Sequence, residues 1–316
     1  MRKPGQIIIS LWICLCFISC SSDDNAPTII EQTVSTLPNS IIFREIPVET
    51  FTMGGTTIQN DAPVISVTLS AFSISEKEIT NQEYIDFLNS AYVDGWITVS
   101  AQQISDPCGT YTENMVIGVG SAPHAGENFL QLGETGGCTS SGEEEHINNR
   151  SWILFNTSEH MFELIDITKA TWPVNWVKWY GAYAFAQYYN VSLPTEAQWE
   201  CAARGGQQLE YPTNDGTLDL TKANYNGDIP GVYNPVGHPQ PVGSFPANPY
   251  GLFDMAGNIW EWCQDWYSSD QISRVLRGGS WYHGTDLLRV ARRNYYAPSY
   301  GRYDSGFRCV SGSDYP

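Results

Sequence analysis

The sequence has 316 residues, of which 34 are acidic and 16 are Lys or Arg, so its formal net charge is −18. A chain this acidic repels a phosphate backbone, which argues against any nucleic-acid partner. Hydrophobic residues make up 42% of the chain and 28 residues are Gly, so we expect a loop-rich protein with a large core, as one big domain or two smaller ones.

The chain begins with features of an export signal. Arg2 and Lys3 precede an apolar run over residues 7–18, which is shorter than the roughly 20 residues that a membrane-spanning helix needs. Residues 1–19 are therefore predicted to be a signal peptide. The run ends at Ser19-Cys20, which resembles a bacterial lipobox and implies cleavage before Cys20 and lipidation of that residue. An ordinary signal peptide followed by a chance cysteine is the alternative.

Residues 20–40 are polar and without sustained periodicity, so they predict a linker between the lipid on Cys20 and a folded domain. Serine at position 21 resembles the residue that favours outer-membrane sorting in Gram-negative bacteria. The sequence Ser22-Asp23-Asp24 also resembles the surface-export signals of Bacteroidetes lipoproteins. We therefore expect an exported, membrane-anchored lipoprotein of the outer membrane, with exposure at the cell surface as a further hypothesis.

The first regular elements after the linker are two extended segments and a helix. Residues 41–53 and 64–74 have strand character, and the second alternates apolar with polar side chains. Thr80 and Glu83 then have the spacing of a capping box, which predicts the start of a helix.

Two further helices are predicted after a long intervening stretch. One covers residues 176–189, and the other begins at the capping sequence 195–198 and ends at Gly205-Gly206. Residues from about 95 to 170 are rich in Gly, Ser and acids, and we interpret them as an insertion. The sequence beyond Gly206 is irregular.

Five cysteines follow the linker. Cys108 and Cys138 both lie in the insertion, and in an oxidising compartment they are candidates for a disulfide. Separately buried thiols are the alternative for that pair. Cys201, Cys263 and Cys309 are left as candidates for free buried thiols.

Seven segments along the chain occur in the order found in one protein family. They are residues 51–55, 74–89, 172–177, 193–200, 251–258 with 260–262, 277–281 and 306–309. Together they resemble the formylglycine-generating enzyme, or sulfatase-modifying factor, family. The resemblance implies one α+β domain over residues 41–312, with a variant C-type-lectin-like topology and little regular secondary structure.

The resemblance also implies a catalytic centre that this chain lacks. Family members use two cysteines after the Gly-Gly-Ser motif to hold Cu(I) and oxidise a substrate cysteine to formylglycine. Soft Cu(I) requires thiolates, yet no cysteine lies between Gly278 and Arg308. The first catalytic position falls on His283, and the second falls on Leu288 or Thr285, depending on the direction of counting. We therefore do not expect copper.

Relatives hold an extended peptide in a groove after the Gly-Gly-Ser motif. The corresponding candidates here are Ser280, Trp281, Tyr282, His283, Arg289 and Arg293. The two arginines could bind carboxylates of a ligand or form internal salt bridges.

Two structural calcium sites are implied by the same resemblance. One would use Asn224, Tyr225, Asn234 and Val236, and the other Asp254, Gly257, Ile259 and Glu261. Side-chain and carbonyl oxygens from loops are the ligands that Ca²⁺ prefers. The alternative is that the Asn and Asp side chains only stabilise turns.

The absence of a thiolate pair favours a non-catalytic function. We expect a binding or assembly scaffold at the cell envelope with a protein or peptide partner, similar to the lipoproteins of Bacteroidetes gliding and type IX secretion that carry this domain type. The alternative is a periplasmic or surface oxidoreductase or protein-modifying enzyme with altered active-site chemistry. The fold by itself does not decide between the two.

Overall fold

The computed structural model describes residues 35–56, 61, 63–106, 109–133, 150–227 and 237–312. The predicted signal peptide, Cys20 and most of the linker lie outside these residues. So do both members of the proposed disulfide, Cys108 and Cys138, and the proposed calcium ligands Asn234 and Val236.

The two extended segments predicted near the start each form two strands. These are β1 (Phe43–Ile46), β2 (Glu49–Met53), β3 (Ile65–Leu69) and β4 (Phe72–Ser75). Pro47 lies at the break between β1 and β2, where its fixed φ and missing N–H prevent a continuous strand. β1 pairs with β4, and β4 also pairs with the last strand, β14 (Val310–Ser311), so the two ends of the domain share one antiparallel sheet. β2 and β3 form a separate hairpin.

The first helix, α1 (Asn81–Val93), begins at the predicted capping box. Thr80 Oγ1 accepts a hydrogen bond from the Glu83 N–H at 3.2 Å, and the Glu83 carboxylate accepts one from the Thr80 N–H at 2.9 Å. Reciprocal bonds of this kind satisfy two donors that a helix start otherwise leaves free. The helix buries Tyr84, Phe87 and Leu88 completely.

The next two helices are α2 (Trp179–Tyr188) and α3 (Glu196–Arg204). Helix α2 begins three residues later than predicted because Trp176 has a φ of 60°, which is not helical. Helix α3 has the predicted capping box at Thr195, and it ends at Gly205 with φ 60°. Glycine adopts this left-handed conformation without a steric cost.

Residues 95–170, which the sequence analysis interpreted as an insertion, contribute strands and buried side chains to the core. They form β5 (Ile97–Asp106), β6 (Gly109–Gly118) and β7 (Asn128–Gln131) in one sheet, and β8 (Ile153–Asn156) with β9 (Met161–Leu164) in a hairpin. Phe129, Leu130 and Phe162 from these strands are buried in the same cluster as α1 and α2.

The irregular C-terminal part contains a four-stranded sheet. Its strands are β10 (Trp260–Trp266), β11 (Arg274–Arg277), β12 (Asn294–Tyr296) and β13 (Ser305–Gly306), in the order β12-β11-β10-β13. Short 3-10 helices cover Ile167–Lys169 and Thr285–Leu288. The predicted α+β class and loop-rich character are therefore confirmed. Across the part of the chain described, no helix is both long and apolar enough to cross a membrane.

A buried ion pair joins the C-terminal motif to the rest of this fold. Arg308 and Glu261 are both 0% exposed, and two hydrogen bonds of 2.6 and 2.7 Å join them. Arg308 also donates to the carbonyls of Ser75 at 3.0 Å and Phe253 at 2.9 Å. The pair thus connects β10, β4 and the loop before β10, and it gives Arg308 a structural role.

We expect Arg308→Met to lower the free energy of unfolding by about 3–5 kcal/mol, because it leaves the Glu261 carboxylate buried without a counter-charge. Urea denaturation followed by fluorescence measures this change. Arg44→Met is the matched control, since Arg44 pairs with Glu76 from a half-exposed position and should cost less than about 1 kcal/mol. Equal losses in the two variants would contradict the structural role of Arg308.

Candidate functional site

The groove candidates begin at a tight turn after β11. Gly278 and Gly279 both have positive φ values, 96° and 81°. A Cβ on Gly279 would lie 2.8 Å from a Leu288 methyl carbon, so this position requires glycine for space as well as for conformation. The turn buries Ser280 and Trp281 and leaves Tyr282 48% exposed.

Ser280, His283 and Asp304 form a hydrogen-bonded cluster under this turn. Ser280 Oγ lies 2.6 Å from His283 Nδ1 and 3.1 Å from Asp304 Oδ2. On the other side of the carboxylate, Arg302 Nε donates to Asp304 Oδ1 at 2.8 Å. The cluster links the turn after β11 to the segment before β13.

The protonation state of His283 follows from its neighbours. The indole N–H of Trp260 lies 3.2 Å from His283 Nδ1 and can only donate, so Nδ1 acts as an acceptor. We therefore assign the ring proton of the neutral form to Nε2. Burial lowers the pKa of His283 below its usual value, and the charge of Arg302 lowers it further, while Asp304 opposes both. His283 thus offers an N–H donor from a side chain that is 17% exposed.

The three side chains do not form a nucleophilic triad. In such a triad, histidine uses Nε2 for the serine and Nδ1 for the aspartate, whereas here Ser280 binds Nδ1 and lies between the other two. Ser280 is also 0% exposed, so no external substrate can reach its hydroxyl. The arrangement suits orientation of the imidazole ring and not covalent catalysis.

Aromatic side chains surround this cluster. The ring of Tyr303 lies 5.8 Å from Trp281, 6.2 Å from Tyr282 and 6.3 Å from Trp176, measured between centroids. Burial raises the pKa of Tyr303 to about 12, so its hydroxyl stays protonated at neutral pH. Rigid aromatic rings with polar edges are suited to contact with a peptide.

Arg289 and Arg293 form internal ion pairs. Arg289 makes two hydrogen bonds to Asp61, at 2.9 and 2.6 Å, and Arg293 makes two to Glu196, at 2.7 and 2.9 Å. Of the two alternatives left by the sequence, the structure supports internal salt bridges over free cations for a ligand. The cluster around His283 therefore contains four of the six sequence candidates. We call it the groove cluster, and its members are Trp260, Ser280, Trp281, Tyr282, His283, Arg302, Tyr303 and Asp304.

Sequence reasoning did not identify Trp260, Arg302, Tyr303 or Asp304 as parts of the site. A usable signal was present, because Arg302, Tyr303 and Asp304 lie within four residues before the Gly306-Phe307-Arg308 motif and Trp260 lies within another motif. Only the parallel pairing of β10 with β13 places these segments side by side.

The three cysteines of the described chain are free and buried. Burial raises the pKa of Cys201 to about 12 and also raises those of Cys263 and Cys309. These thiols are therefore protonated at neutral pH, and none hydrogen-bonds to the Ser280 and His283 cluster.

Asp254 gives the second proposed calcium site its best support. Its Oδ2 accepts a hydrogen bond from the Gly243 N–H at 2.5 Å, whereas Oδ1 is buried and accepts none from the described residues. Burial raises the pKa of Asp254 to about 6, with Glu261 adding to the shift. Burial, Asp254 and Glu261 likewise raise the pKa of Glu78 well above normal. Three buried carboxylates thus lie near two cations, Arg308 and Lys77, and a bound metal cation would favour the ionised forms of these carboxyl groups.

The remaining calcium ligands would be mainly carbonyl oxygens. Glu261 already binds Arg308 through both oxygens and accepts from Trp199 at 2.7 Å. Within the described ranges, no group of three or more acidic, His or Cys side chains is arranged to hold a metal. A site made of one carboxylate and backbone carbonyls, as proposed for Asp254, would suit Ca²⁺ better than a transition metal.

The first proposed calcium site is only partly described. The Asn224 side-chain amide donates to the His238 carbonyl at 3.0 Å and to Asn258 Oδ1 at 3.2 Å. Asn224 also forms a β-bridge with Gly257, so the two proposed calcium sites adjoin. Tyr225 is 6% exposed.

Known relatives establish the family of this chain. It belongs to the family of sulfatase-modifying factor enzyme 1-like domains, which matches residues 27–312. It is 30% identical over 307 residues to the formylglycine-generating enzyme of Mycobacterium tuberculosis, covering 84% of this chain and 96% of that protein. It is also 42% identical over 211 residues to the serine/threonine-protein kinase pkn1 of Chlamydia caviae.

The match to the chlamydial kinase covers 60% of this chain but only 32% of the kinase, so the chain spans about a third of that protein's length. Among solved structures, PvdO from Pseudomonas aeruginosa is similar with a TM-score of 0.55 and 22% identity, covering 85% of this chain and 93% of that one. The structural likeness supports the family fold.

We expect calcium to stabilise the protein and Asp254→Asn to abolish that effect, because the variant keeps the hydrogen bond from Gly243 but loses the charge. Calcium at 100 times its Kd would stabilise the fold by about 2.7 kcal/mol. Thermal unfolding in EDTA and in calcium measures the shift. The control is Asp270→Asn, which changes an exposed turn aspartate. An unchanged Tm after calcium removal would refute the prediction.

Proposed function

We propose that this domain is a non-catalytic binding or assembly scaffold, whose groove around His283 holds a peptide segment of a partner protein. The observation that carries the proposal is the neutral, hydrogen-bonded His283 at the first position where the family resemblance requires a copper-binding thiolate. The relative from Mycobacterium tuberculosis is named a formylglycine-generating enzyme, so the alternative for this chain is an oxidoreductase with altered chemistry.

The chemistry of the groove supports binding over oxidation. Cu(I) is stabilised by soft thiolates, and a single imidazole is a poor substitute for two of them. His283 Nδ1 is already engaged by Ser280 and Trp260. The described cysteines are buried with raised pKa values, so they supply no thiolate.

The same groups are suited to recognising an extended peptide. The Nε2–H of His283 can donate to a peptide carbonyl, while the rings of Tyr282 and Tyr303 offer flat contact surfaces. Tyrosine gives a large contact area with little loss of conformational entropy, which is why binding surfaces use it often. Arg302 is paired with Asp304, so recognition would depend on shape and backbone contacts more than on charge.

We propose further that Cys20 is lipidated and holds the domain at the outer membrane. The support comes from the sequence alone, namely the short apolar run, the lipobox-like Ser19-Cys20 and the polar linker over residues 20–40. The acidic Ser22-Asp23-Asp24 sequence supports exposure at the cell surface. A scaffold for secretion or gliding-type surface complexes would require this location.

The catalytic and binding functions make opposite predictions for a copper assay. We expect no oxidation when the protein is incubated with Cu(I), oxygen and a peptide carrying a sulfatase-type cysteine motif, because no thiolate pair holds the metal. Mass spectrometry of the peptide measures the product. The Mycobacterium tuberculosis relative is the positive control. Formylglycine in the product would overturn the scaffold proposal.

The proposed binding function is tested by a pull-down of partner proteins from detergent-solubilised envelopes. Tyr282→Ala should weaken partner capture by about tenfold, as expected for an exposed aromatic hot spot. Tyr295→Ala is the matched control, because Tyr295 is equally exposed at 48% but lies outside the groove cluster. Equal recovery with both variants would argue against the groove as the binding site.

The anchor is tested separately by Cys20→Ala. We expect the wild-type protein in the membrane fraction, labelled with radioactive palmitate, and the variant unlabelled, because the thiol carries the lipid. Proteinase treatment of intact cells should degrade the wild-type protein. A Cys20→Ala variant that keeps its lipid label would exclude lipidation at this residue.

A further inference from the structure

The hairpin of β2 and β3 has one well-covered strand and one strand at the margin of the domain. Met53 in β2 is 7% exposed, whereas its cross-strand partner Ile65 in β3 is 51% exposed. Phe51 is 4% exposed, while its partner Val67 is only partly buried. Helix α3 contacts β2, which gives that strand its cover. β3 is therefore the outer strand of the hairpin.

β3 lacks the features that usually protect an outer strand from further pairing. Natural edge strands are often blocked by a charged residue, a proline or a β-bulge. The register of β3 with β2 runs from Leu69 to Ile65 without a bulge. No charged residue lies between Asp61 and Glu76, and Pro63 precedes the strand but lies outside it. β3 is thus able to pair with a further strand.

The backbone of β3 offers hydrogen-bonding groups to such a strand. In an antiparallel sheet, alternate residues direct both the N–H and the C=O group to the same side. Within the described ranges β3 pairs with β2 alone, so alternate residues of β3 direct these groups away from the hairpin. Ser66 and Thr68 are both exposed, so the strand can be reached from solvent.

The sequence of β3 fits a second copy of itself. The strand Ile65-Ser66-Val67-Thr68-Leu69 alternates apolar and hydroxyl side chains symmetrically about Val67. In an antiparallel pair centred on Val67, Ile65 lies opposite Leu69 of the partner subunit. Ser66 then lies opposite Thr68 of the partner subunit. Apolar side chains therefore face apolar ones, and hydroxyls face hydroxyls, along the whole strand.

Two properties of the hairpin favour this symmetric pairing. Thr50 and Thr68 are cross-strand neighbours whose hydroxyl oxygens lie 2.8 Å apart, so paired hydroxyls already suit the exposed face of this sheet. An uncharged strand also limits the repulsion between two copies of a chain with a net charge of −18. Two-fold symmetry covers the exposed Ile65 side chain once on each copy. A second copy thus matches β3 in sequence, charge and symmetry.

We infer that β3 is a homodimer interface, in which two hairpins join edge to edge into one continuous antiparallel sheet around a two-fold axis at Val67. Main-chain hydrogen bonds supply the affinity, and the alternating side chains fix the register. A pair of short strands buries less surface than a standard interface, so the dimer is in reversible equilibrium with the monomer. The inference does not depend on what the groove cluster binds.

Cysteine cross-linking tests the register. The two-fold axis places Val67 opposite the same residue of the other copy, with the two Cα atoms about 4.5 or about 5.5 Å apart, and either separation suits a disulfide. We expect full-length Val67→Cys to form a disulfide-linked dimer on mild oxidation, as seen on non-reducing gels. Thr50→Cys is the matched control, because Thr50 is exposed on β2 and lies one strand farther from the partner. The wild-type chain gives the background from its native cysteines.

The dissociation constant of the dimer is measured by analytical ultracentrifugation of the full chain in a density-matched detergent. Combining Ser66→Glu with Thr68→Glu places like charges opposite each other across the interface and should raise the dissociation constant by about tenfold or more. The control combines Thr50→Glu with Thr52→Glu, which adds the same charge to exposed positions of β2 and should have a smaller effect.

Three results would each overturn the inference. The first is a monomer at every concentration tested. The second is equal weakening of the dimer by the two double variants, because charge would then act without regard to the strand that carries it. The third is cross-linking of Val67→Cys no stronger than that of Thr50→Cys, a result that does not depend on the folding of the glutamate variants.

Discussion

The structure depends on the buried ion pair between Glu261 and Arg308. The final motif of the domain reaches the centre of the molecule through this contact, because the guanidinium also binds the carbonyls of Ser75 and Phe253. Without it, β13 would lose its anchor beside β10, and Asp304 would lose its position under Ser280. Desolvation makes such a pair costly to form, so the surrounding carbonyls and the indole of Trp199 are essential to its geometry.

Other charged residues of the core follow the same rule. Arg277 is 0% exposed and pairs with Glu200, which also binds Arg204. Most described arginines are thus used to connect loops that lack regular hydrogen-bond ladders. Guanidinium groups suit this use because their five donors can satisfy several carbonyls and carboxylates at once.

The groove cluster illustrates how far the sequence could predict the site. Ser280, Trp281, Tyr282 and His283 follow directly from the Gly-Gly-Ser motif, and the structure keeps them together. Arg289 and Arg293 have the same sequence proximity, but their side chains find Asp61 and Glu196, which lie 228 and 97 residues away in the chain. Sequence distance cannot show which carboxylate an arginine reaches, since that choice depends on long-range packing.

The sequence alone determined the family, the capping boxes at Thr80 and Thr195, and the lack of a cysteine pair after Gly279. These are local patterns or residue identities, and local chemistry is sufficient for them. Only the tertiary structure decided that Asp304 supports His283 and that residues 95–170 contribute core strands. The physical reason is that each of these depends on contacts between distant segments, which no short-range pattern encodes.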